Sequence, residues 1–523
     1  MQPYLKRAWA EVSLARLKNN VEIIKKLNSP ETEIMAVVKA DAYGHGDEHI
    51  IKCLAEDCGI RYFAVSNLDE AIAVRNFCKN AEILILGYTP PEYAHEISMY
   101  NIIQGVVSYE YAEKLSHNTP EPIRCHIKID TGMGRIGLKY DNARDCADEI
   151  RKIMQIDKIS VEGIYTHFAV ADSDNPDNIT YTDNQEKFIL NTYDELVSMG
   201  INLPHVHFMN SAATCYRNSP KSTLSRAGII IYGLHPDINL DIPDGIEPVM
   251  ELKAVISQVK TIQSGTCISY GRTFTAQHEM RVATVTIGYA DGYSRLLSSK
   301  GEILVHGIRC KIIGRVCMDQ LMIDVSEVPQ AESGDIVTLI GRDGDDIITA
   351  DELASIYDTI GYEVICGISK RVPRIYKDYF IFHELTENEK NTLISKYKLI
   401  HPYKKNNELY LHSQITKANQ DIRFLPLVGM TLAPAVFILI WKEKVCTIYM
   451  RYDIDNNNRD IKCLIQNIFA DKTLKSENDN LINIISESIK AYFMLSASWT
   501  NDVVCEYQKE ITFVDCNGSI YLK

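Results

Sequence analysis

The chain reads as an α/β protein: a (β/α)8 TIM-type barrel, then a mostly β domain, then a C-terminal α+β extension. Three observations predict this. Eight short apolar runs alternate with helical stretches between residues 34 and 233. Beyond them the texture changes to short β-rich runs punctuated by Gly and Asp. Residues able to carry chemistry recur just after the apolar runs, where a barrel gathers its functional groups.

The expected barrel strands are 34–38, 62–65, 83–86, 103–107, 125–129, 163–166, 205–208 and one near 223–226. Amphipathic stretches at 48–55, 68–77 and 184–198 repeat near 3.6 residues and read as helices between them. An open doubly wound sheet is the alternative, but it ordinarily has fewer strands and a Gly-rich first turn, which is absent. The runs 249–258, 281–287, 303–305, 310–313, 320–324 and 336–340, with one helix at 350–359, predict a mostly antiparallel β domain. The expected domains are therefore 1–239, 240–384 and 385–523, with residues 1–12 free to add a strand to the β domain.

In the extension, 386–397 reads as a polar helix, 459–470 and 479–492 as amphipathic helices, and 408–412 as a strand. The segment 434–452 reads as a hairpin turning at Lys442-Glu443-Lys444, and 510–521 as a hairpin around Asn517-Gly518. The longest apolar run, 425–441, contains Pro426, Gly429, Thr431 and Pro434 and is shorter than a spanning helix, so it is expected to form buried strands of a soluble domain, with a membrane-associated segment as the minor alternative. The Asp-rich run 453–459 lacks the Gly and closing Glu of a calcium loop and reads as a solvated turn.

At 523 residues the chain exceeds one ordinary domain. A net charge of −14 excludes a nucleic-acid or anionic-membrane surface. The 14 cysteines form no Cys-x-x-Cys pair, so reduced thiols in the cytoplasm are expected. The N-terminus lacks the long apolar core of a signal peptide.

The sharpest chemical signal is Lys39, at the end of the first strand in Ala36-Val-Val-Lys-Ala-Asp-Ala-Tyr-Gly-His-Gly46. A lysine in an apolar setting has its pKa lowered and becomes a nucleophilic amine. Schiff-base chemistry, above all with pyridoxal 5'-phosphate, is what most needs one. Taken alone, a snorkelling surface lysine would explain it equally well. Other groups converge on the same barrel mouth: Asp130-Thr-Gly-Met-Gly-Arg135, His167, His207, Asn210, Ser211 and Arg226-Ala-Gly-Ile229. Asn210, Ser211, Gly228 and Ile229 offer backbone donors for a phosphate, and Tyr43 a hydroxyl. Arg135 offers a fork for a substrate carboxylate. Arg226, facing a pyridine nitrogen, would not readily protonate it. The ring would then be a weaker electron sink, favouring reprotonation over transamination or decarboxylation. A second acid/base is needed on the opposite face, and Tyr270 in Ser269-Tyr-Gly271 is the candidate, with His167 as a neighbour able to relay its proton.

With those residues in place, the sequence closely resembles the alanine racemase family of fold-type III pyridoxal-phosphate enzymes, from about Lys6 to Arg374. The resemblance rests on the motif around Lys39, on Lys128-Ile-Asp-Thr-Gly-Met-Gly-Arg135, Tyr165-Thr-His167, Asn210-Ser-Ala-Ala213 and Arg226-Ala-Gly228. It continues through Ser269-Tyr-Gly271, Gly288-Tyr-Ala-Asp-Gly-Tyr293, Gly314-Arg-Val-Cys-Met-Asp319 and Arg371-Val-Pro-Arg374. It implies that Lys39 carries the cofactor and is the base for the D-isomer, with Tyr270 acting on the L-isomer. Tyr43, Asn210, Ser211, Gly228 and Ile229 would hold the phosphate, and Arg135 with the Met318 backbone the substrate carboxylate. Tyr289 would stand at the entrance. It also implies a head-to-tail homodimer in which Tyr270, Cys317, Met318 and Asp319 act on the other chain's barrel, and a Lys128 that orients Arg135, in some members as a carbamate. The implied role is D-alanine supply for peptidoglycan. Lys370 stands where some members carry a tyrosine near the phosphate, which leaves serine or broad amino-acid racemisation open. The extension lies outside the resemblance, and a pyridoxal-phosphate sensor with a regulatory C-terminal domain is the reading of another class.

Overall fold

The computed structural model describes residues 7–217 and 219–377, together with the backbone of three further strands at 422–427, 435–441 and 444–450. The first strand, β1 (Ala8–Ser13), belongs to the second sheet below. The next eight are β2 (Glu33–Val37), β3 (Tyr62–Val65), β4 (Glu82–Ile85), β5 (Ile103–Val106), β6 (Ile123–Lys128), β7 (Ile159–Tyr165), β8 (His205–His207) and β9 (Leu224–Ala227). They form a parallel sheet in the order β8-β7-β6-β5-β4-β3-β2-β9. Its open seam is closed by a single parallel bridge between Met209 and Ser225, with Thr223 N donating to Val206 O at 2.9 Å and Arg226 N to Met209 O at 3.1 Å. This is the expected eight-stranded barrel.

The barrel strands lie within a few residues of where the apolar runs place them. β6 and β7 begin earlier than expected because polar residues occupy their first halves. Arg124 on β6 bridges Glu162 on β7 at 2.8 Å and Glu82 on β4 at 2.7 Å, so charged side chains take cross-strand positions that hydropathy does not mark. The helix Leu68–Phe77 falls where predicted, capped by Asn67 Oδ1 accepting Glu70 N at 3.0 Å. The helix expected at 184–198 starts eight residues sooner, at Pro176, with Asn175 as its cap. Its polar first turns hide the period, whereas Pro at the first helical position is favourable there. The stretch expected at 48–55 is helical over Asp47–Lys52 and continues as a wider turn over Cys53–Asp57.

The second sheet is built from β10 (Met250–Ile262), β13 (Met280–Val285), β14 (Glu302–Val305), β15 (Ile308–Lys311), β16 (Leu321–Asp324), β17 (Ile336–Asp343), β18 (Asp346–Ile348) and β19 (Arg374–Lys377), together with β1. A small hairpin of β11 (Cys267–Ile268) and β12 (Phe274–Thr275) stands beside it. All pairings are antiparallel except β1 with β19. The long β10 pairs with β1 and β17 and, past a register shift between Ile256 and Gln258, with β13. One core of buried apolar side chains runs from the barrel into this domain.

Helix Leu14–Leu27 links the two sheets through Asn20. This fully buried amide donates to Ile231 O at 3.0 Å and Glu247 O at 2.8 Å, and accepts from Glu247 N at 2.9 Å.

The chain's other compact unit comprises residues 1–2 and 378–523. Its described strands, β20 (Ile422–Leu427), β21 (Ala435–Trp441) and β22 (Lys444–Met450), form an antiparallel meander. β21 and β22 pair antiparallel within the expected hairpin at 434–452, and the described residues of the apolar run 425–441 lie on β20 and β21. Among the described residues no helix is long and apolar enough to cross a membrane. The expected elements at 386–397, 408–412, 459–470, 479–492 and 510–521 lie outside the described residues.

Asn20→Ala would take this partner from the buried Ile231 carbonyl and from the part-buried carbonyl and N–H of Glu247. Urea unfolding is expected to show a loss of about 2–3 kcal/mol, whereas substitution of the neighbouring half-buried Asn19, whose amide makes one hydrogen bond to Gly245 O, would cost less.

Candidate active site

The carboxyl ends of the barrel strands enclose a cavity of about 400 Å³. Its walls include Lys39, Tyr43, Lys128, Arg135, His167, Asn210, Ser211, Arg226, Gly228 and Ile229, ten of the residues singled out from the sequence. Tyr362, Tyr165, Asp172 and Ser66 complete much of the remainder. Four cationic side chains thus face one carboxylate, Asp172, whose own pKa is raised by burial.

Arg226 is inward-facing on β9 and only 4% exposed. Its guanidinium donates to Thr166 O at 2.6 Å and to His207 Nδ1 at 2.9 Å, and lies 3.4 Å from His167 Nδ1. Arginine offers only donors, so the His207 proton sits on Nε2 and is donated to His126 Nδ1, 2.9 Å away. The His126 proton is thereby placed on Nε2, which has no partner among the described residues. Burial, with Arg226 next, drives His207 and His167 well below the usual imidazole range. His126 is lowered to about 3 by burial and by His205. Burial lowers even Arg226, to about 10. The result is a charged guanidinium ringed by neutral imidazoles.

Lys128 is 3% exposed and donates to Ile129 O at 3.0 Å. Tyr165 lies between it and Arg226, its ring centroid 5.4 Å from Lys128 Nζ and 5.7 Å from the Arg226 guanidinium carbon, and stacks on His207 at 5.1 Å. Burial and then Arg226 lower the Lys128 amine to about 7. Arg135 ends a loop tied by Asp130 Oδ1, which accepts from Gly132 N and Gly134 N, each at 3.0 Å.

Lys39 is half-buried, and burial, then Arg135, lower its pKa. The chain leaves it in an unusual way. Ala40, Asp41, Ala42 and Tyr43 all have positive φ, between 51° and 57°, forming a left-handed turn that ends at Gly44. Each non-glycine residue in that region costs roughly 1–2 kcal/mol. The local sequence does not mark this hand, since four consecutive non-glycine residues do not ordinarily adopt it. The compensating contacts come from distant elements: Arg374 Nε donates to Gly44 O at 2.9 Å, and Tyr376 OH to His45 O at 3.0 Å. His45 Nδ1 lies 3.0 Å from Ala42 O.

The opposite wall has the form of an anion seat. Asn210 caps the short helix Ser211–Tyr216 by accepting Ala213 N at 2.9 Å, and Ser211 Oγ accepts Gly228 N at 2.9 Å. Gly228 is dictated by closeness: a Cβ there would lie 2.7 Å from Tyr43 OH. Tyr362 stands beside Tyr43, ring centroids 6.2 Å apart. Lys370, by contrast, is exposed and does not line the cavity. The aromatic residue at this wall is Tyr362, eight positions earlier, and its presence could have been sought in Gly361-Tyr-Glu-Val364.

Five expected site residues are not in the cavity of their own chain. Tyr270 is 69%, Met318 53% and Tyr289 42% exposed. They form one platform on the β domain. Tyr289 N donates to Cys317 O and Ala290 N to Met318 O, each at 3.0 Å, while Ser269 Oγ donates to Arg315 O at 2.7 Å. Asp319 accepts from Arg371 at 2.7 Å.

A parallel barrel with a lysine and two arginines at its carboxyl end, joined to a β domain displaying an exposed tyrosine loop, defines a class of two-domain α/β proteins with a small-anion cavity. Within that class, residues 12–236 match the alanine racemase N-terminal domain and residues 249–376 the alanine racemase C-terminal domain. A relative from Clostridium acetobutylicum, alanine racemase 1, is 40% identical over 71% of this chain and 96% of its own. The Methanococcus maripaludis alanine racemase is 39% identical over 70% and 98%. The crystal structure of the Bacillus anthracis alanine racemase with bound L-Ala-P superposes with a TM-score of 0.67 at 37% identity, covering 72% of this chain and 96% of that one. The chain belongs to the alanine racemase family.

Because the folded-state pKa of Lys128 lies below its unfolded value, the folded chain binds fewer protons between pH about 7 and about 10, and stability rises with pH across that window. Below it the full cost of burying the charged amine is present. Lys128→Met is expected to flatten this rise and to raise stability at pH about 6 by on the order of 1–3 kcal/mol, as read by urea unfolding of both proteins from pH about 6 to about 10.

Proposed function

We propose that the protein interconverts L- and D-alanine by a two-base reaction, using pyridoxal 5'-phosphate held in the barrel cavity. The observation that carries this reading is the cavity's charge: Lys39, Lys128, Arg135 and Arg226 face one carboxylate. That donor set fits a ligand bearing a phosphate and a carboxylate. The space left by Gly228 beside the Tyr43 and Ser211 hydroxyls fits a phosphate approached by backbone, and about 400 Å³ accommodates a small cofactor with an amino acid.

When bound, the cofactor acidifies the hydrogen on the α-carbon of the attached amino acid. The protein's part is to place proton carriers on either side. Lys39, whose amine burial makes less basic, serves one face. Tyr270 of a second subunit serves the other, since its own chain leaves it exposed and outside the cavity. His167, held neutral with its Nδ1 facing the Arg226 guanidinium, can donate from Nε2 to the oxygen of that tyrosine and favour its deprotonated form. Tyr43, Asn210, Ser211, Gly228 and Ile229 hold the phosphate. Arg226 donates to the ring nitrogen without protonating it. Arg135 and the backbone at Met318 of the second subunit bind the substrate carboxylate, while Tyr289, Cys317 and Asp319 shape the entrance. Lys128 has the low basicity that carbamylation by carbon dioxide requires, and in that form it would pair with Arg135. The assembly is a head-to-tail homodimer acting in the cytoplasm to supply D-alanine for peptidoglycan.

The test is racemisation of L-alanine and L-serine by the purified protein with pyridoxal phosphate. Lys39→Ala and Tyr270→Phe are each expected to lose at least about a hundredfold in rate. Mixed and allowed to exchange subunits, the two inactive variants should recover about a quarter of the wild-type sites, because one site of each heterodimer is intact. No recovery despite proven exchange would place both groups in one chain. Formation of D-serine at a rate matching D-alanine would show broad specificity.

A further inference from the structure

The left-handed turn after Lys39 is held from one side by a residue with no assigned part in the reaction. Glu70 occupies the third position of helix Leu68–Phe77, capped by Asn67. A glutamate there ordinarily turns back to the N–H of the cap residue. Here both oxygens are used elsewhere. Oε1 accepts Ala40 N at 2.8 Å, the first left-handed residue, and Oε2 accepts Ser66 N at 2.7 Å, at the end of β3 on the cavity wall. One carboxylate therefore ties the chain just past Lys39 to the neighbouring strand end.

We propose that Glu70 is a positioning residue for Lys39: by bridging the N–H groups of Ala40 and Ser66 it holds the left-handed turn that begins just past Lys39 and fixes a carboxylate on that side of the amine. This deepens the racemase reading and rests on it for its significance. Lys39 is faced by Arg135, His167, Tyr43, Cys366 and Glu70. Burial and Arg135 lower its basicity, whereas Glu70 and Cys366 oppose them. Glu70 is the member of that set that also holds the backbone beside Lys39. Glutamine in its place keeps one acceptor but turns an N–H toward an N–H, so charge and clamp weaken together. Aspartate keeps the charge on a shorter arm.

The experiment is competitive labelling of lysine amines with an acylating reagent across pH, read peptide by peptide by mass spectrometry, on the full chain freed of pyridoxal phosphate. Wild type, Glu70→Gln and Glu70→Asp are compared, with Lys128 as an internal reference in the same barrel. The labelling midpoint of Lys39 is expected to fall by about half a pH unit or more in Glu70→Gln, less in Glu70→Asp, with the Lys128 midpoint unmoved. Superposition of the Lys39 profiles of wild type and Glu70→Gln would overturn the proposal. So would an equal shift of Lys128, which would report general loosening of the barrel. A parallel arm keeps the two readings apart: pyridoxal phosphate added to wild type should abolish Lys39 labelling. If it does not, the cofactor reading fails while the Glu70 comparison stands on its own.

Discussion

Arg226 is the interaction on which the rest of the site depends. A guanidinium at the centre of a parallel barrel is costly to bury and would ordinarily be matched by a carboxylate. Here its partners are the Thr166 carbonyl and the imidazole of His207. The charge is therefore left uncompensated, and it acts on everything nearby. With burial, it holds His167 and His207 neutral and lowers the Lys128 amine to about 7. It also fixes which nitrogen of His207, and through it of His126, carries the proton. A cavity organised this way attracts anions, and its neutral imidazoles can accept as well as donate hydrogen bonds. On the proposed reaction it has a further consequence: a ring nitrogen facing a permanent cation draws electrons weakly, which favours prompt return of a proton to the same carbon.

The barrel supplies the rigidity that this electrostatic arrangement requires. His126 and Lys128 alternate along β6 with buried Cys125 and Ile127, so the strand sends polar groups to the interior and apolar groups to the helices. Tyr165 on β7 and His207 on β8 stack within that interior. Against this frame the segment after Lys39 is locally unfavourable. It persists because three groups from two elements, Glu70 on helix Leu68–Phe77 and Arg374 and Tyr376 on β19, hold its backbone. The β domain thus helps shape the barrel mouth of its own chain through β19, on which Arg374 and Tyr376 lie.

Much of this was legible in the sequence, for an identifiable reason. Buried parallel strands are short apolar runs, and eight of them in alternation with helices have few alternatives. Chemistry-bearing residues that follow such runs must share a mouth, which groups Lys39, Arg135, His167, Asn210 and Arg226 from the sequence alone. What escaped has an equally physical cause. The left-handed turn is imposed from outside: nothing in Ala40-Asp-Ala-Tyr43 favours it, and the groups that enforce it are distant in sequence. Glu70 reads as an ordinary first-turn helix glutamate until its oxygens are seen to go elsewhere. Tyr362 was overlooked because Arg371-Val-Pro-Arg374 drew attention to the adjacent Lys370, whereas the helix Gly361–Cys366 carries the ring into the cavity wall. β6 and β7 were placed short because their charged beginnings are satisfied by one another.

The separation of the expected site into two sets is itself an argument about assembly. Ten of the expected residues line the cavity, while Tyr270, Tyr289, Cys317, Met318 and Asp319 lie on a platform of the same chain and are not among its walls. The platform is not loosely built. Ser269, Gly271 and Arg272 around Tyr270 all have positive φ, and the loops at 288–291 and 317–319 are locked by paired backbone hydrogen bonds. Ordering three loops so that large apolar side chains remain exposed is unfavourable in an isolated chain. It becomes intelligible if the platform closes over a cavity that lacks a lid, and the cavity of a second copy is one whose charge and missing acid/base the platform would complement. A contact between two different patches closes as a two-fold pair when the relation is reciprocal, each chain covering the other, which would yield two sites and leave neither platform exposed.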